Sequence, residues 1–292
     1  MQLLDRRTFM ALSAATAATT IAQPARAAIG GADIFTADLW GAAVDSAIIV
    51  GEESAVLIDA QLTVPNATRL ADVIAATGKT LETICITHVH PDHHLGLAAI
   101  MDRFPDAKPV AHPLVQSQLS AAARWMLSTM SQGAEPGTFA DRVVIPEPMT
   151  GNTIMLEGER IEVLDPLHGD TDLLSAVHIP ALDTQNASDF LYSGTHQWMA
   201  ENTTPERITR WRASLDQLEA IGAGTVVPGH EGPGAVRDPS IFGTTRAYID
   251  QWETALTETS SAEDLKAAMM VGNEDKALEW VLDSSVAAVY PS

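Results

Sequence analysis

The sequence predicts an α/β domain that runs into a helical tail. Three observations carry this. Short apolar runs of strand character alternate with stretches of helical spacing from Ser46 to Val227. No Gly-, Pro- or Ser-rich linker divides them, and beyond Gly234 the pattern is helical. With 292 residues, 46% of them hydrophobic, the chain can bury a large core and does not have the composition of a disordered protein. No repeat of about 20–50 residues is present, which excludes a solenoid or propeller.

The elements follow in order. Ser46 to Val50 and Ala55 to Asp59 are short apolar runs, and Gly51-Glu52-Glu53 between them reads as a hairpin turn. Leu70, Val73 and Ile74 lie at helical spacing, with Gly78 as the stop. Leu81 to Thr87 is a strand that ends on a His-rich loop, and Leu97 to Phe104 is a helix. Pro109 to Ala111 is a strand, and Leu114 to Met130 is a long helix. Ser131 to Thr150 holds Gly133, Pro136, Gly137, Pro146 and Pro148 and reads as a loop. Strands are expected at Thr153–Met155, Arg160–Leu164, Ser175–Ile179 and Phe190–Tyr192. Ile208, Trp211, Leu215 and Leu218 mark one helix face, and Thr225-Val226-Val227 is a strand running into Pro228-Gly229-His230. In the tail, Ser260-Ser261-Ala262-Glu263 is a capping-box candidate.

The first 27 residues read as an address. Asp5-Arg6-Arg7-Thr8-Phe9-Met10 precedes a small, weakly apolar stretch from Ala11 to Ala22, then Pro24 and Ala25-Arg26-Ala27. This resembles a twin-arginine export signal, so cleavage after Ala27 and a periplasmic location are expected. The stretch is too short and too polar for a stable membrane anchor, which takes about 20 apolar residues. Residues 28–292 are then expected to form one domain, with the helical tail from about residue 238. Lys and Arg total 17 against 38 Asp and Glu, a net charge of −21. Such a chain repels phosphate backbones and anionic membrane surfaces, so a small-molecule substrate is expected and a nucleic acid is not. The single cysteine, Cys85, excludes an intrachain disulfide and sits inside an apolar strand. Nothing in the sequence speaks to an oligomeric state.

The chemistry is concentrated in Thr87-His88-Val89-His90-Pro91-Asp92-His93-His94, at the end of a strand. His88 and His90 can point to one side of such a loop while Asp92 and His93 reach a second point nearby. Imidazole and carboxylate together suit Zn²⁺, and also Fe or Mn. His94 is expected to face away, and His112 and His178, on strands, are read as structural.

This motif resembles the signature of the metallo-β-lactamase superfamily, and the resemblance covers nearly all of the chain beyond the signal. It implies an αββα sandwich with a binuclear metal site at one edge. The pattern is nearest to the lactonase and glyoxalase II-like branches. It implies a third His for the first metal at His168, in Leu167-His168-Gly169-Asp170-Thr171-Asp172, where the usual Gly-His-Thr is altered on both sides of the His. It implies a bridging carboxylate at Asp189, where Ser188 replaces the usual Gly, and a last His at His230. On this resemblance His88, His90 and His168 hold metal one, Asp92, His93 and His230 hold metal two, and Asp189 bridges two zinc ions.

Such ions would lower the pKa of a shared water and polarise a substrate carbonyl, with Asp92 or Asp189 carrying a proton. Tyr192 stands three residues after Asp189, the offset at which lactone-cleaving members carry a Tyr. Asp59 is read as orienting a ligand His, and His196 as lining the pocket. Trp125, Met126, Met130 and Phe139, in or beside the 131–150 loop, offer either Met and Trp that fill core gaps or an apolar cover over the site. The leading expectation is a metal-dependent hydrolase of an ester, lactone or thioester. A metallo-β-lactamase is the runner-up, and an iron oxidoreductase of the persulfide-oxidising kind is the reading from a different class.

Overall fold

The computed structural model describes residues 29–291, so the expected export signal and its cleavage after Ala27 lie outside the described residues. Two sheets face each other. The first holds β1 (Gly31–Thr36), β2 (Asp45–Val50), β3 (Ser54–Ile58), β4 (Thr80–Ile86), β5 (Lys108–Ala111) and β6 (Glu147–Pro148) in that spatial order. Helices α1 (Val64–Ala76), α2 (Pro91–His94), α3 (Leu97–Arg103) and α4 (Pro113–Met130) join its strands. The second sheet is built from β7 (Thr153–Leu156), β8 (Glu159–Val163), β9 (Val177–Ile179), β10 (Thr184–Ser193) and β11 (Thr225–Glu231), with β11 at the edge beside β10. Helix α5 (Pro205–Glu219) crosses between β10 and β11, which run parallel. The tail is α6 (Ser240–Glu258), α7 (Ala262–Met270) and α8 (Glu279–Val289).

Strand periodicity explains the layers. Every residue of β3 is buried, because alternate side chains go to two different cores. Ala55 and Leu57 join Leu70, Ile74, Ile84, Leu97 and Val115 under the helices. Val56 and Ile58 face Ile154, Ile161, Val163 and Val177 of the other sheet. Cys85 belongs to that inter-sheet layer, fully buried, and burial pushes its thiol up. On the far side, Phe190, Trp211, Leu215, Phe242 and Trp252 pack β10 against α5 and the tail. The result is an αββα sandwich. No helix among the described residues is long and apolar enough to cross a membrane.

Side chains cap α1, α5 and α7, and the box expected at Ser260–Glu263 falls one residue later. Thr63 and Thr204 accept from the backbone N–H groups of Asn66 and Arg207 at the starts of α1 and α5. Ser261 caps α7, and its box partner is Asp264. Three strands differ from expectation. β6, inside the expected 131–150 loop, is a two-residue strand paired with Val110 and Ala111 of β5. β1 has no counterpart in the sequence pattern, since Ala32-Asp33-Ile34-Phe35-Thr36 is short and mostly half-buried. β10 begins at Thr184, well before Phe190, because the buried Thr184-Gln185-Asn186 carry polar side chains that hide a central strand.

Trp252 is fully buried, and its indole N–H donates to the Asn202 carbonyl at 3.0 Å. Trp252→Ala is therefore expected to cost about 3–5 kcal/mol, read as a lowered midpoint in chemical denaturation.

Candidate metal centre

The strand ends of the two sheets meet at a cluster of imidazoles and carboxylates. His88, His90, Asp170 and Asp189 each offer an atom within 4.8 Å of the others, and so do Asp92, His93 and His230. Asp189 joins the two groups. Its Oδ1 lies 3.1 Å from His93 Nε2, and its Oδ2 lies 3.1 Å from His230 Nε2 and 3.4 Å from His88 Nε2.

The backbone around Asp189 is shaped for this. Ser188 has φ +46°, in the left-handed region, within an irregular stretch of β10. That conformation explains why Gly is usual there. Ser188 is held in it by a hydrogen bond between its hydroxyl and that of Thr87, 2.9 Å long. On the neighbouring strand a Cβ at Gly229 would overlap the Asp189 carboxylate, so the residue before His230 has to be Gly.

Each His is fixed through one nitrogen and faces the cluster with the other. His93 Nδ1 donates to Asp59 at 2.8 Å, and Asp59 also accepts from the Thr87 amide and hydroxyl. His230 Nδ1 donates to the Ala42 carbonyl at 2.7 Å. His88 Nδ1 meets the Thr87 hydroxyl at 3.0 Å; that hydroxyl's proton goes to Asp59, so the imidazole donates. His90 is turned the other way round: Nε2 donates to Glu201 at 2.9 Å, and Nδ1 faces Asp170 at 3.2 Å. Orienting partners of this kind are what metal-ligating imidazoles require.

The donor set fits a divalent cation. His88 Nε2, His93 Nε2, Asp170 Oδ1 and Asp189 Oδ1 are buried without a hydrogen-bond partner, a costly condition unless something else satisfies them. The electrostatics agree. Burial lowers the affinity of His90 and His93 for protons, but Asp170 beside His90, and Asp189 and Asp59 beside His93, hold both well above the ordinary imidazole value. Burial opposes protonation of His230 too, yet Asp189 and Asp92 raise it to about 9. Burial would raise the Asp189 carboxyl, but the imidazoles of His93, His230 and His88 hold it well below the usual range. The cluster therefore attracts positive charge, which a cation can supply in place of protons.

Sequence expectations and structure differ at two residues. His168 is not in the cluster. Its Nδ1 donates to Asp172 and its Nε2 meets the Asn202 amide oxygen, both at 2.8 Å. Asp170 stands where the third His was expected. A signal for this was present: Gly169-Asp170-Thr171 keeps the flanks of the Gly-His-Thr pattern with Asp at its centre. A real His two residues upstream drew the assignment away. His196 does not line the pocket either. It is buried, with Nδ1 at 3.0 Å from the Tyr248 hydroxyl, and burial lowers it to about 4. His94 faces away, bonded to the Val89 carbonyl at 3.1 Å. Asp59 and Tyr192 are both at the site. The Tyr192 hydroxyl donates to Asp170 at 2.7 Å, and its ring stacks on His230 at 5.0 Å. Glu201 and Asn202 were missed, since neither belongs to a motif.

A pocket of about 190 Å³ opens over the cluster. Asp92, Asp170, Asp189 and Tyr192 form part of its floor, and Trp198, Met130 and Trp280 are among its walls. The 131–150 loop contributes no lining residue, contrary to expectation. Of the apolar residues that could cover the site only Met130 lines the pocket; Met126 packs against the core under the helices, the gap-filling alternative, and Trp125 is 67% exposed.

The family model of the metallo-beta-lactamase superfamily matches residues 39–230, and the chain belongs to that superfamily. Its members are mostly metal-dependent hydrolases, and a candidate metal-binding group is present here. Comparison with curated proteins returns no match. Among solved structures, a metallo-beta-lactamase from Pontibacter korlensis is 19% identical, with a TM-score of 0.56 over 75% of this chain and 93% of that one. A metallo-beta-lactamase family protein from Thermus thermophilus is 18% identical, with a TM-score of 0.56 over 84% and 86%. A double mutant of the sec-alkyl sulfatase PisA1 is 16% identical, with a TM-score of 0.56 over 85% of this chain and 47% of that one. Likenesses at this identity show the fold, and function has to be argued from the site.

If Asp170, rather than His168, completes the first group, the two substitutions separate. Asp170→Ala is expected to lower bound metal by about one ion per chain, measured by elemental mass spectrometry. His168→Gln is expected to keep the full stoichiometry at saturating metal. Metal affinity is also expected to weaken as pH falls below about 9, because protonated His230 then competes with the cation. Calorimetric titration in buffers of different ionisation enthalpy counts the protons released.

Proposed function

We propose that this protein is a metal-dependent hydrolase that opens an ester, lactone or thioester, with two divalent ions, zinc by preference, held by the two groups that share Asp189. The observation that carries the reading is that shared carboxylate. It is buried, touches His88, His93 and His230, and stands at the floor of an apolar pocket beside Tyr192. His88, His90, Asp170 and Asp189 would hold one ion. Asp92, His93 and His230, with Asp189, would hold the other. Ions held there would supply a hydroxide at neutral pH and polarise a carbonyl oxygen.

The chain's own groups divide the remaining work. Tyr192 stays protonated, because burial and the neighbouring Asp170 and Asp189 raise its phenol well above the ordinary value. Its one proton goes to Asp170 at 2.7 Å; turned from that carboxylate to the substrate oxygen that gains charge, the same hydroxyl would serve there as the donor. Asp92, 15% exposed at the pocket floor, is the carboxylate with a route to solvent. It takes the proton of the attacking water and returns it to the leaving group. Asp59, Thr87 and Ala42 keep the rings of His93, His88 and His230 from turning.

The reading includes export: the twin-arginine-type segment would carry the folded chain to the periplasm with its metal already bound. A β-lactamase is less well supported, since among the described residues no Lys or Arg lines the pocket to receive the antibiotic's carboxylate.

The test joins metal content to turnover. About two zincs per chain and hydrolysis of members of an aryl ester, thioester and lactone panel are expected, with loss on chelation and recovery on adding zinc back. One iron per chain, with oxygen uptake on a persulfide, would replace hydrolysis by oxidation. Tyr192→Phe is expected to lower kcat about 10- to 100-fold with little change in KM, as for loss of one donor to developing charge.

A further inference from the structure

The superfamily match ends at residue 230, yet part of the pocket wall comes from beyond it. Leu278, Trp280 and Val281, at the start of α8, line the pocket together with Met130 and Leu62. The tail is fastened to the segment after β10 that carries Trp198 and Glu201. Ala277 N–H donates to the Gly194 carbonyl at 3.0 Å, and His196 N–H donates to the Ala277 carbonyl at 2.9 Å. Met199 N–H donates to the Ser285 hydroxyl at 2.9 Å. Leu278 and Val281 pack on Ala43, with Trp198 against them. Trp280 is different: it is 50% exposed at the pocket, an indole with a free apolar face.

Charge narrows what this wall can accept. Asp92, Asp170 and Asp189 line the pocket, and no Lys or Arg among the described residues does. Arg207, which lies 3.7 Å from Glu201, is itself engaged by Asp172 at 3.2 Å. The three carboxylates would be taken up in holding the ions, so the exclusion comes from the wall itself: an anionic group laid along Leu278, Trp280 and Val281 would leave water for apolar side chains, with no Lys or Arg lining the pocket to receive it. The chain as a whole, at −21, also repels it.

We propose that the start of α8, with Trp280 at its centre, is the specificity wall of the site, and that it restricts the enzyme to uncharged substrates with an apolar acyl or ring portion. This rests on the hydrolase reading above and names its substrate class. The apolar portion lies along Trp280, Leu278 and Val281, while the reacting carbonyl sits over Asp189. Each methylene taken up by the wall adds about three- to fourfold in kcat/KM until the pocket is filled.

Two experiments on the metal-loaded protein test this. The first compares p-nitrophenyl esters from acetate to decanoate, and sets the hexanoate against the adipate half-ester, whose far end is a carboxylate. The hexanoate is expected to be at least tenfold better in kcat/KM. Trp280→Ala is expected to flatten the chain-length dependence through KM, and Trp280→Lys to shift the hexanoate-to-adipate ratio at least tenfold toward adipate. The second uses ligands that cannot be hydrolysed: 2-octanone and 7-oxooctanoate, titrated calorimetrically into wild type and both variants. Tighter binding of the neutral ketone, lost in Trp280→Ala, is expected. Equal rates for hexanoate and adipate, or ketone binding unchanged by Trp280→Ala, would overturn the wall. If no ester, thioester or lactone is turned over, the hydrolase reading falls, and the ketone titration still decides the wall.

Discussion

The structure around the site depends on one buried carboxylate. Asp189 is 1% exposed and sits among imidazoles of His88, His93 and His230. An isolated buried anion would be very costly, so the surrounding chain is arranged to answer it. Ser188 takes a left-handed backbone in the middle of a strand to aim it. Gly229 lets the neighbouring strand come close. The parallel pairing of β10 with β11 brings His230 from a distant stretch of sequence to its side.

A second tier of hydrogen bonds turns this into a preorganised site. Asp59 follows β3 directly, with φ +60°, and gathers the Thr87 amide, the Thr87 hydroxyl and His93. Glu201 anchors His90 and also accepts from Thr171, the residue after Asp170. His168 and Asn202 hold the loop that presents Asp170: the Asn202 amide donates to the carbonyls of Gly169 and Asp170 at 3.2 and 3.0 Å. A His expected as a ligand thus positions the carboxylate that stands in its place. Replacing a neutral nitrogen donor by an anion makes the first group harder and more negative, in keeping with a pocket whose lining lacks a counter-cation.

The sandwich supplies the cluster, and the tail supplies much of the pocket wall. Strand ends are rigid and can hold donor atoms with little freedom. The wall comes from a helix tied on through Gly194, Met199 and Ser285, so it can vary while the cluster stays as it is. Trp252 couples the two, reaching from α6 to the Asn202 carbonyl.

Much was legible because it is local. The apolar runs of β2, β3 and β4, the Gly51-Glu52-Glu53 turn, and the His-x-His-x-Asp-His run are written within a few neighbouring positions, where spacing decides which side chains share a face. From them the sequence by itself determined the fold class, the burial of Cys85 and the gathering of His88, His90, Asp92 and His93. Other features depend on contacts between segments far apart in the chain. Sequence spacing alone cannot tell whether His168 or Asp170 faces Asp189, because both lie on one irregular loop whose direction is set by Asn202, more than thirty positions on. Nor can it place Glu201 on His90, His196 against Tyr248, or Trp280 at the pocket. Those were decided by the tertiary structure, where packing of the tail on β10 and the pairing of β10 with β11 select which polar groups meet.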